Sequence, residues 1–275
     1  MKTASINGVQ LEYEVKGEGE PVLFISPGPV ASAFFPLLDE PALTGFRLVC
    51  YHRRGQAGAM RSDTSISFGD HAADAAALLH HLGISRAHVA GHSTGGAVAL
   101  QLAKDRGDVI HSLALLEPVM SAVPSAAGFF EDAGPWVEAY ACGDRETAVT
   151  GFISFVSGVD WETCRSLLDQ LPGGARRVLQ DTDFFFGSDL PALNAWRFDA
   201  DDASAFTKPV LSVLGAGTLS FFLDGHRLLE SYFPQLQTSC IEDAGHLLQI
   251  ERPKAVARGL AAFFSRHPMQ SLAAV

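Results

Sequence analysis

The hydrophobic positions of this chain fall into two rhythms, short unbroken apolar runs and apolar residues at helical spacing. The start reads as a hairpin: Thr3–Ile6 and Gln10–Val15 flank Asn7-Gly8, a dipeptide that accepts positive φ in a two-residue turn. Gly17-Glu18-Gly19-Glu20 is a second turn. Pro21–Ser26 and Phe46–Tyr51 are then continuous apolar runs, as expected of strands covered on both faces, and the second leads into a loop over Arg53–Met60. Helical spacing predicts a helix over Gly69–Leu82, ended by Gly83. A short strand (Ala87–Ala90), a small-residue helix (Gly95–Lys104) and a buried strand (Val109–Leu116) follow. Near the end, Val210–Leu214 and Thr238–Ile241 predict two more strands, each followed by a helix, the last over Lys254–His267.

A β-rich start followed by strand–helix alternation implies an α/β fold, a doubly wound and mostly parallel sheet with helices on both faces. Between Pro118 and Phe206 the alternation stops. Helix-like stretches (Gly134–Tyr140, Glu146–Val156, Trp161–Leu171) stand there between Gly and Pro turns. The division expected is a core of residues 1–118 and 207–275 with a helical cap, 119–206, inserted after the strand Val109–Leu116. No internal repeat or low-complexity tract interrupts this pattern.

Composition narrows the function. The chain has 275 residues, 47% of them hydrophobic and 19% charged, enough to bury a sizeable core without disulfides or metals. A formal net charge of −11 argues against a nucleic-acid partner and against attraction to anionic membranes, and the basic knot His52-Arg53-Arg54 is too short to reverse this. Four cysteines (Cys50, Cys142, Cys164, Cys240) lack metal-ligand spacing. Cys50 and Cys240 end apolar runs and are expected in the core. Free thiols in a reduced, cytoplasmic chain are the expected state, one disulfide being the alternative. The first eight residues have no apolar stretch of a signal peptide, and no run approaches the roughly 18 apolar residues of a membrane span. A homodimer is left open.

The chemistry centres on Gly91-His92-Ser93-Thr94-Gly95, a G-x-S-x-G pattern between an apolar strand and a helix-forming run. A serine on so sharp a turn stands clear of the backbone, and small residues two before and two after let the turn close. The same turn aims the backbone N–H of Thr94 and the helix N-terminus at a developing oxyanion. The competing reading of the pentapeptide alone is a glycine-rich strand–helix turn.

Together with Ser26-Pro27-Gly28-Pro29 and with Ala244-Gly245-His246 ahead of Leu247–Pro253, this elbow resembles the α/β-hydrolase fold superfamily over nearly the whole chain. The resemblance implies a catalytic triad with Ser93 as nucleophile and His246 as base. Nine other histidines are present, and His92, the variable residue of the elbow, is expected to be a pocket or packing group. The superfamily's usual acid is missing: Gly215–Ser220, after the strand Val210–Leu214, has no carboxylate. Two candidates remain, Glu117 at the end of the strand Val109–Leu116 and Asp224 in the following helix. Glu117 is favoured, because a carboxylate at the carboxyl end of a central strand lies on the active-site edge of a doubly wound sheet. Some superfamily members, fungal lactonases acting on zearalenone-type macrolides among them, resemble it in using an acid there. The second oxyanion donor falls by alignment on Gly28, or else Val30, since the usual His-Gly pair is replaced by Ser26-Pro27 and proline cannot donate.

The segment 119–206 holds nine of nineteen Phe and all three Trp. From it, Phe184, Phe185, Phe186 and Trp136 are expected to contribute to a substrate pocket, and no Arg/Lys cluster is present to fix a charged ligand. No GxGxxG after a strand, P-loop or HExxH occurs, so neither a metal nor a nucleotide cofactor is expected. Ser rather than Asp at the elbow argues against epoxide hydrolase or haloalkane dehalogenase chemistry, which needs a carboxylate nucleophile. The function expected is hydrolysis of a carboxylic ester or lactone of a small apolar or aromatic molecule through an acyl-enzyme. The alternatives are a C–C bond hydrolase or cofactor-free oxygenase of aromatic metabolism, and a non-catalytic ligand-binding protein on the same fold.

Overall fold

The computed structural model describes residues 1–57 and 65–269. Residues 58–60 of the loop expected over Arg53–Met60 therefore lie outside the described residues. Eight strands form one sheet: β1 (Lys2–Ile6), β2 (Val9–Lys16), β3 (Glu20–Ile25), β4 (Phe46–Tyr51), β5 (Ala87–His92), β6 (Ile110–Leu116), β7 (Val210–Gly215) and β8 (Gln237–Ile241). Their spatial order is β1-β2-β4-β3-β5-β6-β7-β8, antiparallel at β1/β2 and β2/β4 and parallel elsewhere. The first hairpin turns on Asn7 (φ 46°) and Gly8 (φ 80°), two consecutive positive φ values that match the twist of the strands they join.

Helix α1 (Phe68–His81) starts at a capping box between Ser67 and Asp70. Its apolar positions meet α2 (Thr94–Arg106) on one side of the sheet. Alternation along the strands sorts the core into two layers. Leu23, Ile25, Val49, Tyr51, Val89, Leu113 and Leu115 face α1 and α2. Val22, Phe24, Leu48, Cys50, Ala90, Ala114 and Leu116 face the opposite way, onto Val256, Leu260, Phe263 and Phe264 near the C-terminus. Buried rings of this kind each stabilise a fold by about 3–5 kcal/mol against truncation to alanine.

Between β6 and β7 the chain is helical: α3 (Ala126–Asp132), α4 (Gly134–Ala141), α5 (Arg145–Ser157), α6 (Trp161–Leu168), α7 (Gly174–Gln180), α8 (Thr182–Phe184), α9 (Leu190–Ala195) and α10 (Ala200–Ser204). A π-helical turn, Phe185–Asp189, joins α8 to α9. These helices pack around an apolar cluster that includes Val149, Ile153, Leu168, Val178, Phe185 and Phe186 and that continues into Val30, Ala33, Leu247 and Ile250. After β7 come α11 (Ser220–Tyr232), then β8, α12 (Leu248–Glu251) and α13 (Pro253–Arg266).

The four cysteines are free thiols, and Cys240 is exposed, contrary to the core position expected from its apolar run. It lies on β8, the edge strand, where only Ile241 of the five residues is fully buried. Among the described residues no helix is long and apolar enough to cross a membrane.

The register aligns the carboxyl ends of the central strands. Ile25 pairs with Gly91, His92 with Leu116, and Leu116 with Val213. Strand β3 lies between β4 and β5, so successive connections leave it in opposite directions, and the crevice that opens there is where doubly wound sheets bind ligands.

Candidate active site

Ser93 occupies the residue between β5 and α2 with φ 54° and ψ −122°, a conformation costly for a side chain bearing Cβ. Its surroundings over-determine the strain. Ser93 donates its N–H to Leu116 O (3.0 Å), and its own carbonyl accepts from Gly96 and Ala97 of α2 and from Val119. The flanking glycines are needed for close approach. A Cβ on Gly95 would stand 2.5 Å from Ser26 O, and one on Gly91 would stand 2.9 Å from the Ala99 methyl. Thr94 opens α2, so its N–H is among those with no carbonyl partner one turn earlier.

Glu117, the next residue after β6, is completely buried and also has positive φ (41°). Its Oε1 accepts the Gly215 N–H (2.7 Å), and its Oε2 lies 2.6 Å from His246 Nδ1. With Gly215 as an obligatory donor, the carboxylate is an acceptor on both oxygens when His246 carries its proton on Nδ1. That tautomer leaves the Nε2 lone pair free. Burial opposes charge on both partners: it pushes Glu117 up to about 8, against the Gly215 hydrogen bond, and holds His246 down to about 3.

The His246 loop is stapled from behind by Glu251, which accepts the N–H groups of Gly245 (2.7 Å) and Leu247 (3.1 Å). The imidazole stacks on Phe222 at 4.0 Å between centroids. His92 lies 4.6 Å from it on another side, with its Nδ1 accepting from Gln249 Nε2. Asp224, the alternative acid, is on α11 and accepts from Arg227 (2.8 Å), whereas the carboxylate on His246 Nδ1 is that of Glu117.

Ser93, Thr94, His92 and His246 share the wall of one cavity with Gly28, Val30, Val119, Phe129, Phe130, Val137, Phe152, Phe185, Phe222 and other apolar residues. The cavity is small, about 80 Å³. Its described lining contains no Lys, Arg, Asp or Glu. Of the aromatic residues expected there, Phe185 is in the wall. Phe184, Phe186 and Trp136 are not. Consecutive helical residues point in different directions, so Phe184 fits against Gly55 and His71, and Phe186 stacks on Tyr140. Trp136 packs against Gly151. Phe129, Phe130, Phe152 and Phe222 line the cavity instead, which spacing along the chain does not reveal.

A second buried group stands beside the elbow. Arg53 and Asp189, both fully buried, form a two-pronged ion pair (2.7 and 2.8 Å). Thr94 Oγ1 donates to Asp189 Oδ2 (2.8 Å). Of the rest of the basic knot, Arg54 pairs with Asp74, and His52, held below its usual range by burial, hydrogen-bonds to Glu12. Among the described residues no group of three or more His, Cys, Asp or Glu is placed to hold a metal ion.

A family model described as alpha/beta hydrolase fold matches residues 20–253, and the chain belongs to that family. A soluble epoxide hydrolase from Corynebacterium sp. (strain C12) is 22% identical over 287 residues, covering 95% of this chain and 96% of that protein. Among solved structures, a thermophilic esterase from Thermogutta terrifontis has a TM-score of 0.74 at 22% identity, covering 98% of this chain and 100% of that one. The enol-lactonase from Burkholderia xenovorans LB400 has a TM-score of 0.72 at 18% identity, covering 96% and 100%. Structural likeness at such identities carries the fold and no more.

Proposed function

We propose that this chain is a serine hydrolase of small, uncharged carboxylic esters or lactones. The observation that carries the reading is the Glu117–His246 contact of 2.6 Å, made beside a strained Ser93 in the wall of the same apolar cavity. In the proposed reaction His246 Nε2 takes the proton from Ser93 Oγ as the oxygen attacks the carbonyl carbon. Glu117 holds the imidazole and balances the charge it acquires. The N–H groups of Thr94 and Gly28 stabilise the oxyanion, and His246 then gives its proton to the departing alkoxide. Water, deprotonated by His246, resolves the acyl-enzyme. Helices α3–α10 act as the lid over this chemistry, lining the pocket with Phe129, Phe130, Val137 and Phe152 together with Phe185 of the π-helical turn.

Two properties of the cavity set the substrate class. Lining without Lys or Arg gives no counter-ion to a carboxylate or phosphate, which disfavours charged substrates. The cavity's small volume favours short acyl groups. Serine at position 93 also separates this reading from an epoxide hydrolase, whose ester intermediate requires a carboxylate nucleophile.

A fluorophosphonate probe is expected to label Ser93, and p-nitrophenyl butyrate is expected to be hydrolysed. Ser93→Ala should abolish both. Turnover of the ester unchanged in Ser93→Ala would overturn the assignment, and an unlabelled parent that turns over no ester would favour the non-catalytic reading.

A further inference from the structure

Four chain segments meet at the oxyanion side of Ser93, and two fully buried charges hold them together. Arg53, just beyond β4, donates Nε–H to Ser26 O (3.0 Å), the residue that opens the Ser26–Pro29 loop. Its Nη2 reaches Thr94 Oγ1 (3.2 Å), and its guanidinium grips both oxygens of Asp189. Thr94 closes the triangle by donating to Asp189. From the same loop as Arg53, Gln56 is completely buried and donates to the carbonyls of Pro27 (2.7 Å) and Gly28 (2.5 Å). Its Oε1 accepts the Arg53 N–H (3.0 Å). Both peptide segments assigned to the oxyanion hole, 26–28 and Thr94, are therefore anchored to one polar cluster.

Asp189 is the member that comes from the inserted helices. It ends the π-helical turn that begins with Phe185, the ring in the cavity wall, and the same turn presses on the oxyanion loop. A Cβ on Gly28 would stand 2.5 Å from the Phe185 ring and 3.6 Å from Asp189 Oδ2. Two buried charges cost desolvation that only their mutual pairing and full hydrogen bonding offset, and replacing such a pair by apolar residues of similar volume is often neutral for stability. What apolar residues would lack is direction, because a fork of donors fixes the angle and distance of each carbonyl and hydroxyl it holds.

We propose that Asp189 is a positioning residue for the oxyanion hole. Through Arg53 and Thr94 it couples the seating of the inserted helices to the placement of the Thr94 and Gly28 N–H groups. Substrate enclosure and oxyanion stabilisation are then set by one contact. The inference rests on the hydrolase reading above.

The test uses the full chain with the double substitution Arg53→Met/Asp189→Leu, which removes both charges together and leaves neither buried alone. Thr94→Val is the second variant; it leaves the ion pair intact and removes only the hydroxyl. Thermal melting, kcat and KM for p-nitrophenyl butyrate, and inhibition by an alkylboronic acid, whose tetrahedral adduct on serine needs the hole, are measured for each. Positioning predicts that the double variant melts like the parent and keeps KM within threefold. Its kcat falls about 10²–10³-fold, and boronate inhibition weakens in step. Thr94→Val loses kcat about tenfold in the same pattern. A folded double variant, or Thr94→Val, with parental kcat and parental boronate inhibition overturns the proposal while leaving the hydrolase reading intact. If the double variant does not fold, Thr94→Val decides by the same criterion. A parent without ester hydrolysis overturns both.

Discussion

Glu117 accepts one N–H from the β7 end and one from His246, so its carboxylate is consumed by contacts that only an anion of that shape can make at once. Glu117→Gln keeps the size but puts an amide donor where one acceptor stood. The imidazole is then free to adopt the wrong tautomer, as when the orienting acid of other serine triads is replaced by its amide. A fall in kcat of about 10⁴-fold is expected for hydrolysis of p-nitrophenyl butyrate. Asp224→Asn should change kcat less than twofold, since its partners are Ser125 and, on the same helix, Arg227. Reversal of these two outcomes would move the acid to α11. The place of Glu117 beside His246 was legible in the sequence because it ends an apolar strand whose carboxyl end lies on the ligand-binding edge of such a sheet. Asp189 was not. Its partner Arg53 is 136 residues away, and nothing in a charged residue's neighbours along the chain states that it is wholly buried.

At the level of elements, the β5–α2 elbow is the part where packing tolerates least. Gly95→Ala would force a methyl to within 2.5 Å of Ser26 O, and the helix has to slide away from the loop it braces. Overpacking of this kind typically costs about 1–3 kcal/mol. We expect a lowered melting temperature together with a loss of turnover greater than the loss of folded protein explains. Parental melting and turnover would show that the elbow can relax. The strands and most helices were readable because apolar runs and helical spacing bury one face by necessity. The π-helical turn was not, because an extra residue in a turn changes which way Phe185 and its neighbours point without altering composition. Cys240 failed for a related reason. An apolar run predicts a strand, yet an edge strand exposes residues that a central one would cover.

Across the whole molecule, acid should act through histidines buried in neutral form. Burial holds His71 and His246 down to about 3 and His88 down to about 4. In the unfolded chain these groups take up protons near pH 6.5. Below that pH the unfolded state binds protons the native state refuses, so each histidine lowers stability by about 1.4 kcal/mol per pH unit as pH falls toward its native value. Asp181, pushed up to about 7, acts in the opposite sense, because the native state keeps a proton there that the unfolded state has released. A single substitution separates the two trends. His71 is packed between Phe68 and Phe184, and in His71→Phe its share of the acid sensitivity is absent. Urea unfolding at pH 7, 6 and 5 should show the variant gaining on the parent by about 1.4 kcal/mol for each unit below 6.5. A difference that does not vary with pH would mean that His71 does not stay neutral in the native protein.

The backbone at position 93 has a further consequence, one that concerns descent rather than chemistry. A conformation with φ 54° and ψ −122° suits glycine better than serine, so folding alone never selects the residue found there. As long as the reaction is needed, purifying selection keeps serine against a standing thermodynamic preference. In a lineage released from that need, the preference and mutation pull the same way, and serine-to-glycine exchange takes a single nucleotide change from some serine codons. Descendants that lost the chemistry should therefore record it first at this position, while the surrounding strand and helix, kept by packing, stay recognisable.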